Sequence, residues 1–169
     1  MKLIFFAGGC FWGTQHFLQL IDGVINTEVG YANGIVENPT YQLVRSGTTH
    51  FAETVRVEYD ETKVDLPFLI ELFFKTIDPT SLNRQGVDAG TQYRTGIYYL
   101  DEADEATVKE TVERLAKNYS EPVVVEVQPL ENFYSAEDYH QDYLNKNPEG
   151  YCHISSDLFE LARKAKKNK

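Results

Sequence analysis

Two thiols offer this chain its most distinctive chemistry, Cys10 and Cys152. Cys10 follows Gly8-Gly9 and precedes an aromatic segment of helical spacing, so it stands where a strand turns into a helix. The backbone N–H groups of a helix N-terminus point at such a sulfur and favour thiolate over thiol, lowering an ordinary pKa of about 8.5 by one or more units. The competing reading of Cys10 is a small buried hydrophobe. Phe11 and Trp12, the single tryptophan, come next. An aromatic pair beside a nucleophile can seat an apolar or sulfonium-like group, or can equally be the core face of the helix. Cys152 lies in NPEGYCHI, where Pro and Gly predict a mobile loop. A second thiol there can resolve an oxidised first one.

A thiol that reduces or cleaves also needs a proton source. Glu53 interrupts the strand-like run FAETVRVEY; facing inward it is a carboxyl with raised pKa and a candidate general acid, and facing water it is an ordinary edge residue. Tyr41, Asp88 and Tyr93 fall in two long polar stretches; phenols there can donate hydrogen bonds to a developing oxyanion, while surface decoration is the default reading of any one of the three. His140, flanked by Tyr139 and by Tyr143 on a predicted helix, is either a base for Cys10 or a structural histidine.

The elements that must position these groups are legible from periodicity. Lys2–Ala7, Val24–Tyr31, Phe51–Tyr59, Thr95–Leu100 and Val123–Val127 read as strands, and Phe11–Ile21, Leu66–Ile77 and Glu102–Tyr119 as helices. The order β-α-β-β-α-β-α-β begins with a split βαβ pattern and predicts an α+β, ferredoxin-like βαββαβ two-layer sandwich with an extra helix and strand. Residues 130–169 are expected to be largely irregular, with helices near Ala136–Leu144 and Asp157–Ala165. The whole of 1–169 is expected to be a single catalytic domain. A loop as long as Asp78–Tyr93 is itself a functional hint.

Composition narrows the partners. A formal net charge of -10 repels phosphate backbones and argues against nucleic acid. The one basic run, Arg163, Lys164, Lys166, Lys167 and Lys169, fits cations placed near a helix C-terminus. The opening MKLIFFAGGCFWG is too short an apolar run for a secretory signal, and no 18-residue apolar stretch exists, so a soluble cytoplasmic monomer is expected. Two Cys and four scattered His show no zinc-ligand spacing, so neither metal nor cofactor is expected.

GGCFWG at 8–13, NPTYQLVRSG at 38–47, FAETVRVEYD, QGVDAGTQYR at 85–94 and AEDYHQDYL followed by NPEGYC together resemble the type A methionine sulfoxide reductases, with the match running from about residue 4 to residue 153. The resemblance implies a reductase specific for the S epimer of methionine sulfoxide, free or in proteins. Cys10 would be its nucleophile, Phe11 and Trp12 the seat of the sulfoxide methyl, and Glu53 the acid for the sulfoxide oxygen. Tyr41 and Tyr93 would donate hydrogen bonds to that oxygen, Asp88 would be a polar pocket residue, and Cys152 the resolving cysteine. It further implies a Cys10 sulfenic acid, a Cys10–Cys152 disulfide and reduction by thioredoxin.

There are departures. Where the family usually reads Thr-Gly-His-Ala-Glu, this chain has Thr49-His50-Phe51-Ala52-Glu53, and the tail SSDLFELARKAKKNK lacks the further cysteine of some relatives. Regeneration is therefore expected to rest on Cys152 alone. The rival enzymes are a thiol peroxidase and a disulfide oxidoreductase, the latter disfavoured because no C-x-x-C pair is present. The rival outside catalysis is a binding module with an aromatic pocket and inert cysteines.

Overall fold

In a computed structural model, residues 1–166 are described, so Lys167 and Lys169 of the basic run lie outside the described residues. Lys2–Gly8 forms β1, with Ile4 to Ala7 almost wholly buried. A continuous apolar run suits a strand covered on both faces. β1 lies between β3 (Ala52–Tyr59) and β6 (Thr95–Tyr99), antiparallel to both. β2 (Val24–Ala32) continues the sheet beyond β3, and β8 (Phe133–Ser135) closes that edge. β7 (Glu126–Pro129) runs parallel to β6 at the other edge, giving the order β7-β6-β1-β3-β2-β8. A small hairpin, β4 (Arg84–Gln85) with β5 (Asp88–Ala89), stands apart.

The alternation of strand residues sorts the core into two faces. Ile4, Phe6, Val55, Val57 and Ile97 face the larger cluster. Helices α1 (Phe11–Gln19), α3 (Leu66–Phe74) and α4 (Glu102–Ala116) cover it with Phe11, Phe17, Leu18, Leu69, Ile70, Phe73 and Val108. Phe5, Ala7, Ala52 and Tyr98 point the other way, into a smaller cluster roofed by Leu130 and Phe133. Aspartates start two of the helices: Asp65 accepts the Phe68 N–H ahead of a first turn containing Pro67, and Asp101 accepts the Ala103 N–H, both at 2.9 Å.

The register brings one rim of the sheet together. Ala7 pairs with Thr54 and Gly8 with Thr95, while Ala32 pairs with Ala52. The end of β1, the starts of β3 and β6 and the end of β2 therefore share one edge of the sheet. Cys10, Glu53, Tyr93 and the segment leading to Tyr41 project from that rim.

The fold is the expected mixed α+β type, and several local expectations change. The polar stretch after β2 contains a short helix, α2 (Tyr41–Arg45), whose first turn Thr40 caps by accepting the Leu43 N–H at 3.2 Å. The stretch after α3 holds the hairpin and a 3-10 turn, Thr91–Tyr93. The last strand begins later than Val123, at Glu126. A continuous helix over Ala136–Leu144 does not form: a 3-10 turn, Asp138–His140, is followed by left-handed Asp142 with φ 52° and a separate α5, Tyr143–Lys146. Side chains break it. Gln141 donates to the Val29 carbonyl at 2.8 Å and accepts the Val29 N–H at 3.0 Å, while Gln15 of α1 accepts the Asp142 N–H at 2.9 Å. The last helix, α6 (Ser156–Lys164), agrees with expectation within a residue and carries Arg163 and Lys164 in its last turn.

Candidate active site

Cys10 occupies the N-cap position of α1, reached from β1 through Gly8 and through Gly9, whose φ of 84° is open to glycine at little cost. It is buried, 7% exposed. Burial, followed by the charge of Glu53, pushes the thiol well up; the Trp12 N–H at the helix start opposes this and does not prevail. The expected lowering is thus reversed in the substrate-free protein, because desolvation of a sulfur anion outweighs one helix N-terminus.

Glu53 faces inward, on the same face of β3 as Val55 and Val57, and is 2% exposed. Its Oε1 accepts the Phe11 N–H at 3.2 Å, tying the carboxyl to the residue after Cys10. Burial raises its pKa to about 8; the Phe11 N–H opposes the rise and Asp88 adds to it. At pH 7 Glu53 is a neutral acid carrying a proton it can give away.

Two phenols complete the group. Burial and the neighbouring Glu53 raise the pKa of both Tyr41 and Tyr93, and the Tyr93 side chain hydrogen-bonds toward Tyr41. Both therefore remain protonated donors at neutral pH. Asp88 accepts the Tyr151 hydroxyl at 2.7 Å. Tyr151 immediately precedes Cys152, so this bond links the hairpin to the segment that carries the second thiol.

Phe11 and Trp12 divide the two roles open to them. Phe11 is 1% exposed and packs on Tyr31, with ring centres 5.8 Å apart. Trp12 is half-buried; its ring stacks on Tyr143 at 3.8 Å and its Nε1–H donates to His140 Nδ1 at 3.0 Å. His140 is 1% exposed and packed against the rings of Phe11, Tyr41 and Tyr139. It orients the indole and does not pair with Cys10, so of its two expected roles the structural one holds. Burial depresses its pKa, leaving a neutral ring that can accept from Trp12.

Cys152 is half-buried, and both cysteines are free thiols. A Cβ at Gly13 would lie 2.9 Å from the Cys152 sulfur, which places that sulfur against α1 one turn beyond Cys10. The sulfur is held in its own turn, accepting the Ile154 N–H at 3.4 Å and donating to the Ile154 carbonyl at 3.5 Å. Burial raises its pKa as well.

Sequence reasoning missed Glu137. Its carboxylate accepts the Tyr31 hydroxyl at 2.8 Å, the Tyr41 N–H at 3.1 Å and the Tyr139 hydroxyl at 3.3 Å, pinning the start of α2 to β2. No local pattern marks a carboxylate two of whose partners, Tyr31 and Tyr41, lie about a hundred residues away. Among the described residues no group of three or more His, Cys, Asp or Glu is arranged to hold a metal ion.

Residues 2–169 match the family model of peptide methionine sulfoxide reductase. The chain is 57% identical over 157 residues to a peptide methionine sulfoxide reductase MsrA of Clostridium perfringens, covering 93% of this chain and 100% of that one. It superposes on the reduced form of Mxr1 from Saccharomyces cerevisiae with a TM-score of 0.87 at 39% identity, covering 91% of each. It also matches Mxr1 solved in complex with Trx2, with a TM-score of 0.60 at 28% identity over 84% of each chain. A rim of buried Cys10 and Glu53 with half-buried Tyr41 and Tyr93, on a fold and sequence shared over nearly the whole chain, leaves one assignment: the chain belongs to the peptide methionine sulfoxide reductase family.

Proposed function

We propose that this enzyme reduces the S epimer of methionine sulfoxide, free or in proteins, with Cys10 as nucleophile and Glu53 as acid. The observation that carries this is the neutral Glu53 carboxyl bonded to the N–H of Phe11, the residue next to Cys10. Oxide cannot leave sulfur unprotonated, so the sulfoxide oxygen needs a proton as the nucleophile arrives. Glu53 supplies it, and the Tyr41 and Tyr93 hydroxyls donate to the same oxygen. Trp12, with the buried Phe11 ring behind it, seats the substrate methyl, and Asp88 lines the polar side.

Both Cys10 and Glu53 rest in their protonated forms. The Cys10 sulfur bonds to the sulfoxide sulfur as Glu53 gives its proton to the oxygen and recovers the thiol proton; the hydroxyl then passes from the substrate sulfur to the Cys10 sulfur as the sulfur–sulfur bond breaks. Sulfoxide and thiol thereby become methionine and Cys10–S–OH. Cys152 then displaces the hydroxyl as water, forming a Cys10–Cys152 disulfide that a thioredoxin-like dithiol reduces. The solved complex of yeast Mxr1 with Trx2 supports that choice of reductant.

The groups used stand on one rim of one sheet and on segments packed against it, which supports a single catalytic domain over 1–169; a monomer is proposed with it. The order β6-β1-β3-β2 at the centre of the sheet supports a ferredoxin-like core. Among the described residues no helix is long and apolar enough to cross a membrane, and a thioredoxin-linked enzyme suits the cytoplasm.

The test supplies each separated methionine sulfoxide epimer with dithiothreitol to wild type and Cys10→Ser. Consumption of the S epimer alone, abolished in the variant, is expected. Turnover surviving in Cys10→Ser, or of the R epimer only, would overturn the assignment.

A further inference from the structure

The resolving step has a chemical gap that the groups above do not fill. Displacing hydroxide from Cys10–S–OH requires a proton to leave the Cys152 thiol and a proton to reach the departing oxygen. Cys152 holds its proton more firmly than a free cysteine because it is partly desolvated. It therefore needs a base beside it.

His153 is the residue next to it. Both of its ring nitrogens are shielded from solvent, and neither has a well-aligned hydrogen-bond partner among the described residues. The Gly8 backbone lies near enough to favour a proton on the ring, yet a buried imidazole without well-aligned bonds at either nitrogen costs free energy, so the arrangement calls for a reason. The ring packs against the start of α1, beside the glycines that flank Cys10 on either side. Its Nε2 lies 3.4 Å from where a Gly9 Cβ would stand, beside the residue that precedes Cys10. Its Cε1 lies 3.5 Å from the Gly13 Cβ position, the same point that the Cys152 sulfur approaches to 2.9 Å. The two glycines leave the space that ring and sulfur occupy.

We propose that His153 is the proton relay of disulfide formation, taking the thiol proton of Cys152 on one ring nitrogen and delivering a proton from the other to the hydroxyl leaving Cys10. This rests on the Cys10–Cys152 pathway proposed above. The step balances: Cys152–SH and Cys10–S–OH become the disulfide and water, and the imidazole ends as its other neutral tautomer. No outside oxidant or reductant is needed, since the oxidising equivalent came from the sulfoxide. Burial keeps the ring neutral at pH 7, with one free acceptor and one donor, while Asp88 and the Gly8 backbone act in the opposite direction. Asp88 from the hairpin is the charged group that acts on the ring, and the thiol of the adjacent Cys152 packs at the same Gly13 face.

The test separates the two steps. Wild type, His153→Gln and His153→Ala are each mixed with one equivalent of methionine S-sulfoxide. Methionine release is followed by quenched flow, sulfenic acid by dimedone adducts on Cys10, and disulfide by mass and peptide mapping. Methionine release within about twofold of wild type and disulfide formation slowed on the order of 10²-fold are expected for both variants. In wild type the disulfide rate should fall at acid pH as the ring protonates, a dependence lost in His153→Gln, and free imidazole should partly restore His153→Ala. Wild-type resolution rates in both variants would overturn the relay. So would equal slowing with an unchanged pH profile and no rescue by imidazole, which marks a packing role. A wild type that gives the Cys10 adduct but never a Cys10–Cys152 disulfide would overturn the relay together with the pathway beneath it. Absence of any adduct or disulfide on Cys10 despite methionine release would instead locate the failure in the nucleophile assignment.

Discussion

The two thiols sit in opposite kinds of structure. Cys10 stands at the end of β1, a strand paired on both sides, and begins α1; its partners Glu53 and Tyr93 stand at the starts of the two neighbouring strands. Cys152 lies between α5 and α6 in a segment with neither helix nor strand, seated by van der Waals contact with Gly13 and by its own turn. The difference follows the chemistry assigned to each. Reduction needs sulfur, acid and phenols fixed to a fraction of an ångström before substrate arrives, and strand ends provide that. Resolution needs a sulfur that travels, so few backbone ties hold it.

The largest expected effect attacks the fixed half. Glu53→Gln keeps an acceptor for the Phe11 N–H and removes the proton, so single-turnover methionine formation should fall about 10²–10⁴-fold. In wild type the same step should lose rate as pH rises through about 8, the value at which Glu53 gives up its proton, and this limb should vanish in the variant. The substitution should act on stability in the opposite sense to its effect on rate. Because the folded pKa is above the unfolded one, the contribution of Glu53 is intact below the unfolded carboxylate range and is lost as pH rises through about 8. At pH 7 the substitution should therefore stabilise the fold by up to about 3 kcal/mol in urea melts, with the gain shrinking toward pH 4. An unchanged single-turnover rate would remove Glu53 as the acid.

The loosely held half is tested at Gly13. A Cβ there meets the Cys152 sulfur at 2.9 Å and Ile154 Cδ1 at 3.2 Å. Gly13→Ala should strengthen α1 by about 1 kcal/mol while displacing the resolving segment. Thioredoxin-driven cycling should drop roughly tenfold, about 1.4 kcal/mol of barrier, with methionine release in the first turnover little changed. Equal loss in both steps would show that the two regions are not separable.

A smaller effect lies where the regions meet. His140→Phe keeps a ring against Phe11 and Tyr41 and removes the acceptor for the Trp12 Nε1–H. Losing one neutral hydrogen bond is worth about 1 kcal/mol, so KM for the sulfoxide should rise about fivefold with kcat nearly constant, accompanied by a shift in Trp12 fluorescence. A fall in kcat alone would mean that the indole does more than seat the methyl.

How legible each half was in the sequence follows the same division. The apolar run before Gly8-Gly9 and the aromatic spacing after Cys10 locate β1 and α1, because period and breaker residues are local signals. The inward face of Glu53 was left open by the alternation of its own strand; the register that pairs Tyr31 with Glu53 and Ala7 with Thr54 decides it. A helix N-terminus is visible in sequence and predicts a lowered thiol pKa; the burial of Cys10 is not visible there and raises it instead. In the later half, Gln141 and Asp142 break the expected helix through bonds to Val29 and Gln15, each more than a hundred residues distant. β8 is three residues long and exists only because β2 offers an edge.

The smallest prediction concerns the one place where the fixed half departs from its family. His50 takes φ 60° immediately before the strand that carries Glu53, at the position where the family usually has glycine. Left-handed backbone costs a residue with a Cβ about 1 kcal/mol, less for histidine than for a branched side chain. Its carbonyl accepts Arg94 Nη2 at 2.9 Å, holding the turn against the segment before β6. Phe51, in place of the family's histidine, is 1% exposed and lies edge-on to Tyr134 with ring centres 5.8 Å apart, while its ring also fills the space beside Gly34. The pair thus exchanges a backbone preference for an apolar anchor below Glu53. His50→Gly should gain at most about 1 kcal/mol in thermal or urea melts, offset in part by the freer unfolded chain, and should leave the pH dependence of reduction where it was. A shifted acid limb would mean that the strain at His50, and not burial alone, sets the proton affinity of Glu53.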